Sequence, residues 1–169
     1  IEKNSTTSQN LAELSIGLKA TAHFGKKWSS ELIYLWDFSE YPSHVDALVQ
    51  GKNISPGYGY SKNDKSKYID GNITFTADKN FAFQLGYGKN FIGDGYRSLL
   101  FSDNASSYPF FKLNTTFWKL KYTNTWMSLR DVRPAVTADG SFRTKYMANH
   151  YLSINVTKRL NIGLFENVI

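Results

Sequence analysis

The residues best suited to chemistry lie between Gly86 and Thr116, where Asp94, Tyr96, Arg97, Asp103, Tyr108 and Phe110 are set among Gly, Asn and Ser. Asp94, Arg97 and Asp103 can hydrogen-bond sugar hydroxyls, or form ion pairs that plug a lumen. Tyr96, Tyr108 and Phe110 can stack on the apolar C–H faces of pyranose rings, or pack their loop against a wall. An excursion of this length inside a compact domain is more often functional than filler. Gly93-Asp94-Gly95 lacks the third glycine and the following helix of a dinucleotide or phosphate loop. Its glycines are expected to permit positive φ in a loop that folds inward.

Other chemistries are poorly supplied. His23, His44 and His150 are scattered without ligand spacing and there is no Cys, so neither a metal site nor a disulfide is expected. No Gly-x-Ser-x-Gly nucleophile motif is present. Asp37, Glu40 and Asp46 are carboxylates, but glycoside hydrolysis needs a pair at a set separation in space, which sequence spacing does not give. The chain therefore reads as a non-enzyme without a cofactor. The Asn-x-Ser/Thr matches at Asn4, Asn53, Asn72, Asn114 and Asn155 are read as incidental, because several fall inside strands. The formal net charge is +6, yet no cluster of Lys and Arg interleaved with aromatics argues for nucleic acid.

The elements that must position these residues are strands. Aromatics make up 16% of the chain, Leu-rich helical periodicity is missing, and no apolar run is long enough for a transmembrane helix. Leu14, Ile16, Leu18, Ala20, Ala22 and Phe24 share one face, with Ser15, Gly17, Lys19, Thr21 and His23 on the other. After Gly25-Lys26-Lys27, the same face continues through Trp28, Leu32, Tyr34, Trp36 and Phe38. Ile69, Ile73, Phe75 and Ala77 turn at Asp78-Lys79-Asn80 into Phe81, Phe83, Leu85 and Tyr87. Phe111, Leu113 and Thr115 are odd-numbered whereas Trp118, Leu120, Tyr122 and Trp126 are even, so an even-numbered connection such as Thr116-Phe117 is required. Tyr146, Ala148, Leu152, Ile154 and Val156 then pair through Thr157-Lys158-Arg159 with Leu160, Ile162 and Leu164. Asn124, His150 and Glu166 spoil the apolar face, and Glu166 calls for a bulge or a strand end if that face meets lipid.

Short turns alternate with long loops at approximately 39–66, 90–109 and 130–144. A soluble sandwich or small barrel with an apolar core fits the alternation alone. Three features favour a transmembrane β-barrel instead. Tight turns at one end and long loops at the other are the pattern of outer-membrane barrels. Trp28 and Trp36, or Trp118 and Trp126, are separated by about 26 Å along a strand, which suits aromatics at the two lipid interfaces. Lys19, Glu31, Asp70, Lys112, Lys119 and Lys121 on the polar face suit a wet lumen. The expected fold is all-β: an antiparallel up-and-down transmembrane barrel with about eight strands here, either one barrel domain over residues 1–169 or an internal piece of a larger barrel.

The run Gly93-Asp94-Gly95-Tyr96-Arg97-Ser98-Leu99-Leu100-Phe101-Ser102-Asp103-Asn104, with Tyr108-Pro109-Phe110-Phe111-Lys112-Leu113 and Lys121-Tyr122-Thr123-Asn124, resembles the Wzi-type capsule assembly proteins. It is more similar to the Bacteroidetes branch labelled RemB-like gliding-motility proteins. The closing segments His150-Tyr151-Leu152-Ser153-Ile154-Asn155-Val156-Thr157 and Leu160-Asn161-Ile162-Gly163-Leu164-Phe165-Glu166 resemble the same branch. The resemblance implies a large barrel in the bacterial cell outer membrane, in contact with outer-membrane lipid, that holds surface polysaccharide without catalysis. A sequence that ends at Ile169 without the terminal aromatic of a finished barrel is expected to be an internal portion. The alternatives are a scaffold or transport component of a motility or secretion complex, binding other envelope proteins, and a soluble β-sandwich binding module.

Overall fold

The computed structural model describes residues 13–40, 61–62, 65–93, 98–103, 105–131 and 143–169. They contain β1 (Glu13–Phe24), β2 (Trp28–Ser39), β3 (Ser61–Lys62), β4 (Lys65–Thr76), β5 (Phe81–Gly88), β6 (Tyr108–Phe117), β7 (Leu120–Asp131), β8 (Arg143–Asn155) and β9 (Asn161–Val168), and no helix. The eight long strands form one antiparallel meander in the order β1-β2-β4-β5-β6-β7-β8-β9, with β3 a short hairpin partner of β4.

Parity places the expected apolar positions that fall within strands on a common face. Leu18 pairs with Tyr34, Trp28 with Phe75, Phe75 with Phe83, Phe111 with Trp126 and Leu152 with Leu164. Across this face Trp28, Phe75, Phe83, Phe111 and Trp126 make a row of rings at successive centroid distances of 4.6, 6.4, 6.5 and 5.6 Å. Cross-strand aromatic contacts of this kind are the sheet's local stabilising unit. The face is nevertheless uncovered: Leu18 is 68%, Leu85 61% and Leu164 59% exposed. The soluble-sandwich alternative requires Leu18, Phe83, Leu120 and Ile154 to be buried together in a core, and none of the four is buried.

The buried apolar cluster lies on the opposite, polar face. It consists of Tyr108, Phe110, Met127 and Met147, with Phe101 and Leu129 against it. Around it the face carries a Lys19–Glu31 ion pair at 2.8 Å, a Lys145–Asp131 pair at 3.5 Å and a Ser15 hydroxyl donating to Asp37 Oδ1 at 2.8 Å. The arrangement is inverted relative to a water-soluble domain, because the larger apolar surface is the one left open.

Among the described residues the sheet is not closed: β1 and β9 are its two edges, and neither pairs with the other. Register and hairpins fix neighbours, but closure also depends on strand number and stagger, which alternation does not encode. The turn between β6 and β7 is Trp118-Lys119 rather than Thr116-Phe117, since Phe117 pairs with Leu120. Trp118 thus leaves the strand, so it does not form an along-strand pair with Trp126, and Lys119 leaves the lumen-facing set. Its positive φ of 53° is the sign that a two-residue hairpin turn needs at its first position, here taken by Trp rather than Gly. β7 reaches Asp131, and strands resume at Lys65, Tyr108 and Arg143.

The tight-turn end is stitched together. Asp78 Oδ1 accepts the N–H groups of Asn80 and Phe81 at 2.7 and 3.0 Å, a side-chain mimic of a backbone turn. Thr76 N–H donates to the Lys27 carbonyl, Thr116 N–H to the Asn80 carbonyl and Asn155 N–H to the Lys119 carbonyl, at 2.8, 2.7 and 3.0 Å. Three of the four tight turns are thus tied to a neighbouring strand by a backbone hydrogen bond.

Candidate functional site

The excursion between β5 and β6 folds back onto the polar face. Its root is fixed by Asp70 on β4, whose Oδ2 accepts the Tyr68 hydroxyl at 2.9 Å and the Lys89 N–H at 3.3 Å. Burial pulls the Lys89 ammonium below its ordinary range, against the opposing pull of Asp103 and Asp70. Gly88 is required there, because a Cβ would collide with the Asp70 carboxylate. One step further, the backbone N–H and the Nδ2 of Asn90 both donate to the Tyr108 hydroxyl, at 3.1 and 3.4 Å. Ile92 bridges to Phe101, and the Ser98 hydroxyl donates to the Ile92 carbonyl while accepting the N–H groups of Leu100 and Phe101. Gly93 has φ 139°, the inward-folding geometry expected of this glycine.

Between excursion and sheet lies a cavity of about 410 Å³. Gln84, Lys112, Asn114, Lys121, Thr123 and Asn149 line its sheet side, and Asn90, Ile92, Gly93 and Phe101 its loop side. These sheet residues share a face because alternation puts them opposite the exposed apolar set. Lys112 and Lys121 were legible as polar-face residues from parity; Asn90, Phe101 and Asn149 were not singled out, Asn149 reaching the cavity from β8 and Asn90 and Phe101 only through the inward fold of the loop.

The candidate residues divide. Tyr108 and Phe110 were grouped with the loop, but both stand on β6 in the buried cluster, 4% and 6% exposed. Of their two readings, stacking on a sugar or packing against the wall, the geometry supplies the packing. Phe101 meets Tyr108 edge-on at 6.4 Å between centroids. Asp103 is exposed on the excursion. Asp94, Tyr96 and Arg97 lie outside the described residues. Of the interface aromatics, Trp28 and Trp36 stand on β2 and Trp126 on β7, all on the apolar face, while Trp118 is 79% exposed at its turn with Lys119 Nζ 5.1 Å from its ring centroid. Among the described residues no group of three His, Cys, Asp or Glu side chains could hold a metal ion.

The three residues that interrupt the apolar face turn out to be cross-strand neighbours. Asn124 pairs with His150, and His150 with Glu166. His150 Nδ1 sits 2.6 Å from Asn124 Oδ1 and 3.0 Å from the Tyr122 hydroxyl. Glu166 is thus inside β9 without a bulge. Replacing Asn124 alone by Leu is expected to cost about 1–3 kcal/mol, because the half-buried His150 loses its nearest hydrogen-bond partner. Asn124→Leu with His150→Leu should recover most of that loss. Urea unfolding of the two single variants and the double variant gives the coupling; additive losses would show that the contact contributes nothing.

Compared with family models, curated proteins and solved structures, the chain finds a match in none of the three.

Proposed function

We propose that this chain forms wall and plug of a larger outer-membrane β-barrel of the capsule-assembly or gliding-motility type found in Bacteroidetes, which binds surface polysaccharide through its long excursions without catalysing a reaction. The observation that carries the reading is the inverted sheet: an uncovered apolar face spanning all eight long strands, backed by a polar face that holds ion pairs and a cavity. Contiguous apolar surface on this scale is foreign to soluble monomers and ordinary for a barrel's lipid belt. Further strands would satisfy the open edges of β1 and β9, which present unpaired backbone groups that lipid cannot satisfy. Lys26, Lys27, Lys79, Lys119, Lys158 and Arg159 crowd the tight turns beside Trp118, which suits phospholipid headgroups at that rim.

A second reading, a scaffold in a surface complex, is favoured by the Asn124–His150–Glu166 row. A protein neighbour can hydrogen-bond such a strip, whereas acyl chains cannot. Cell fractionation combined with polysaccharide retention separates the readings. The proposed function predicts recovery in the outer membrane, release only by detergent, and loss of retained polysaccharide when the protein is deleted. Recovery from the aqueous fraction would refute the barrel. Unchanged polysaccharide, together with an envelope complex that survives glycan removal, would replace the polysaccharide role with the scaffold.

A further inference from the structure

The cavity beneath the β5–β6 excursion presents two kinds of unused polar group. Asn149 is 1% and Asn90 6% exposed, and the Oδ1 of each is buried without a hydrogen-bond partner. Their amide nitrogens are committed: Asn149 Nδ2 donates to Asn167 Oδ1 at 2.8 Å and Asn90 Nδ2 to the Tyr108 hydroxyl at 3.4 Å. What remains free on both is therefore an acceptor, sealed from solvent in a side chain of the cavity wall, and a buried unpaired acceptor calls for a donor. The second kind is cationic. Among the described residues neither Lys112 nor Lys121 forms an ion pair, and the two lie close enough for the charge of Lys121 to act on Lys112. The carboxylate that also acts on Lys112 belongs to Asp70, which already accepts from Tyr68 and Lys89. Lys112 Nζ rests 5.2 Å from the Phe110 ring centroid, held at the cavity wall.

We infer that this cavity is a binding site for an acidic saccharide unit, whose hydroxyls donate to Asn90 and Asn149 and whose carboxylate accepts from Lys112 and Lys121. A neutral sugar leaves the half-buried Lys112 uncompensated, and a simple anion leaves the acceptors unpaired. The cavity volume falls in the ordinary range for small-molecule sites, roughly 300–1,000 Å³. The inference rests on the polysaccharide reading and narrows it to uronic-acid-bearing glycans.

Calorimetric titration of the full chain in detergent tests it, with trigalacturonate as ligand, its full methyl ester as the neutral counterpart, and inorganic phosphate as the bare anion. Trigalacturonate is expected to bind at least about tenfold tighter than the ester, and less tightly as salt is raised. Lys112→Gln and Lys121→Gln should each weaken it about tenfold, while Lys112→Arg retains it. Thermal melts of the same variants show whether each is folded, and the Arg variant keeps the test meaningful if a Gln variant is not. Equal binding of acid and ester, full displacement by equimolar phosphate, or wild-type affinity in both Gln variants would each overturn the assignment. If cells carrying both Gln changes still retain polysaccharide, the cavity assignment fails and the polysaccharide reading stands. If deleting the whole protein leaves retention unchanged, both fail.

Discussion

Leu18→Arg is expected, on the proposed barrel reading, to destabilise the protein in lipid by about 2–4 kcal/mol, the cost of a cation near the middle of a barrel's lipid face. Leu18 stands halfway along β1, opposite Tyr34, and is 68% exposed. In water that exposure predicts the reverse: a surface substitution touching nothing changes stability by about 0.5 kcal/mol or less. The variant therefore reports the solvent on that face. Thr21→Arg, on the opposite side of the same strand, serves as the control and should be tolerated in a wet lumen. Equilibrium unfolding from lipid vesicles gives the difference directly. A neutral Leu18→Arg would mean that water, not hydrocarbon, covers the apolar face.

Phe110→Ala is expected to cost about 3–5 kcal/mol and to loosen the β5–β6 excursion. Phe110 is 6% exposed, and its ring occupies the space that a side chain at position 86 would take, with Cζ 2.7 Å from where a Gly86 Cβ would lie. It also supports Tyr108, the residue to which Asn90 is tied. Removing the ring leaves a hole beside Tyr108, where the excursion is fastened to β6 through Asn90. Cleavage by added protease within 89–107 should accelerate, while the tight turns, tied by their own backbone bonds, stay resistant. Unchanged stability and cleavage would show that the excursion is held by something other than this cluster.

Much of the sheet was legible because its two faces differ so sharply. Leu14 to Phe24 and Phe81 to Tyr87 alternate without interruption, and a one-residue slip would reverse every side chain, so the register followed from parity. The parity change between Phe111 and Leu120 correctly demanded an even connection, but not which residues form it. Trp118 has no turn propensity, and its place at positive φ is imposed by the pairing of Phe117 with Leu120. The site was less legible. Tyr108 and Phe110 alternate with Pro109 and Phe111, so this part of β6 is apolar on both faces, and a two-sided apolar run after a polar loop gives no period-two signal. Asn124, His150 and Glu166 read as three separate defects because their sequence distances hide that the β7-β8-β9 register sets them side by side. Whether the sheet closes was not legible at all, since closure depends on strand number and stagger, which alternation does not encode.

Single-cysteine nitroxide labels along β1 and β5 test the inverted sheet most directly, because the native chain has no Cys to remove. In lipid vesicles, labels at Leu18, Phe83 and Leu85 should be relaxed by oxygen, which concentrates in hydrocarbon. Labels at Lys19, Ala82 and Gln84 should be relaxed by a water-soluble nickel chelate, with the preference reversing at every residue. Nickel access at Leu18, Phe83 and Leu85 equal to that at their neighbours would contradict the account.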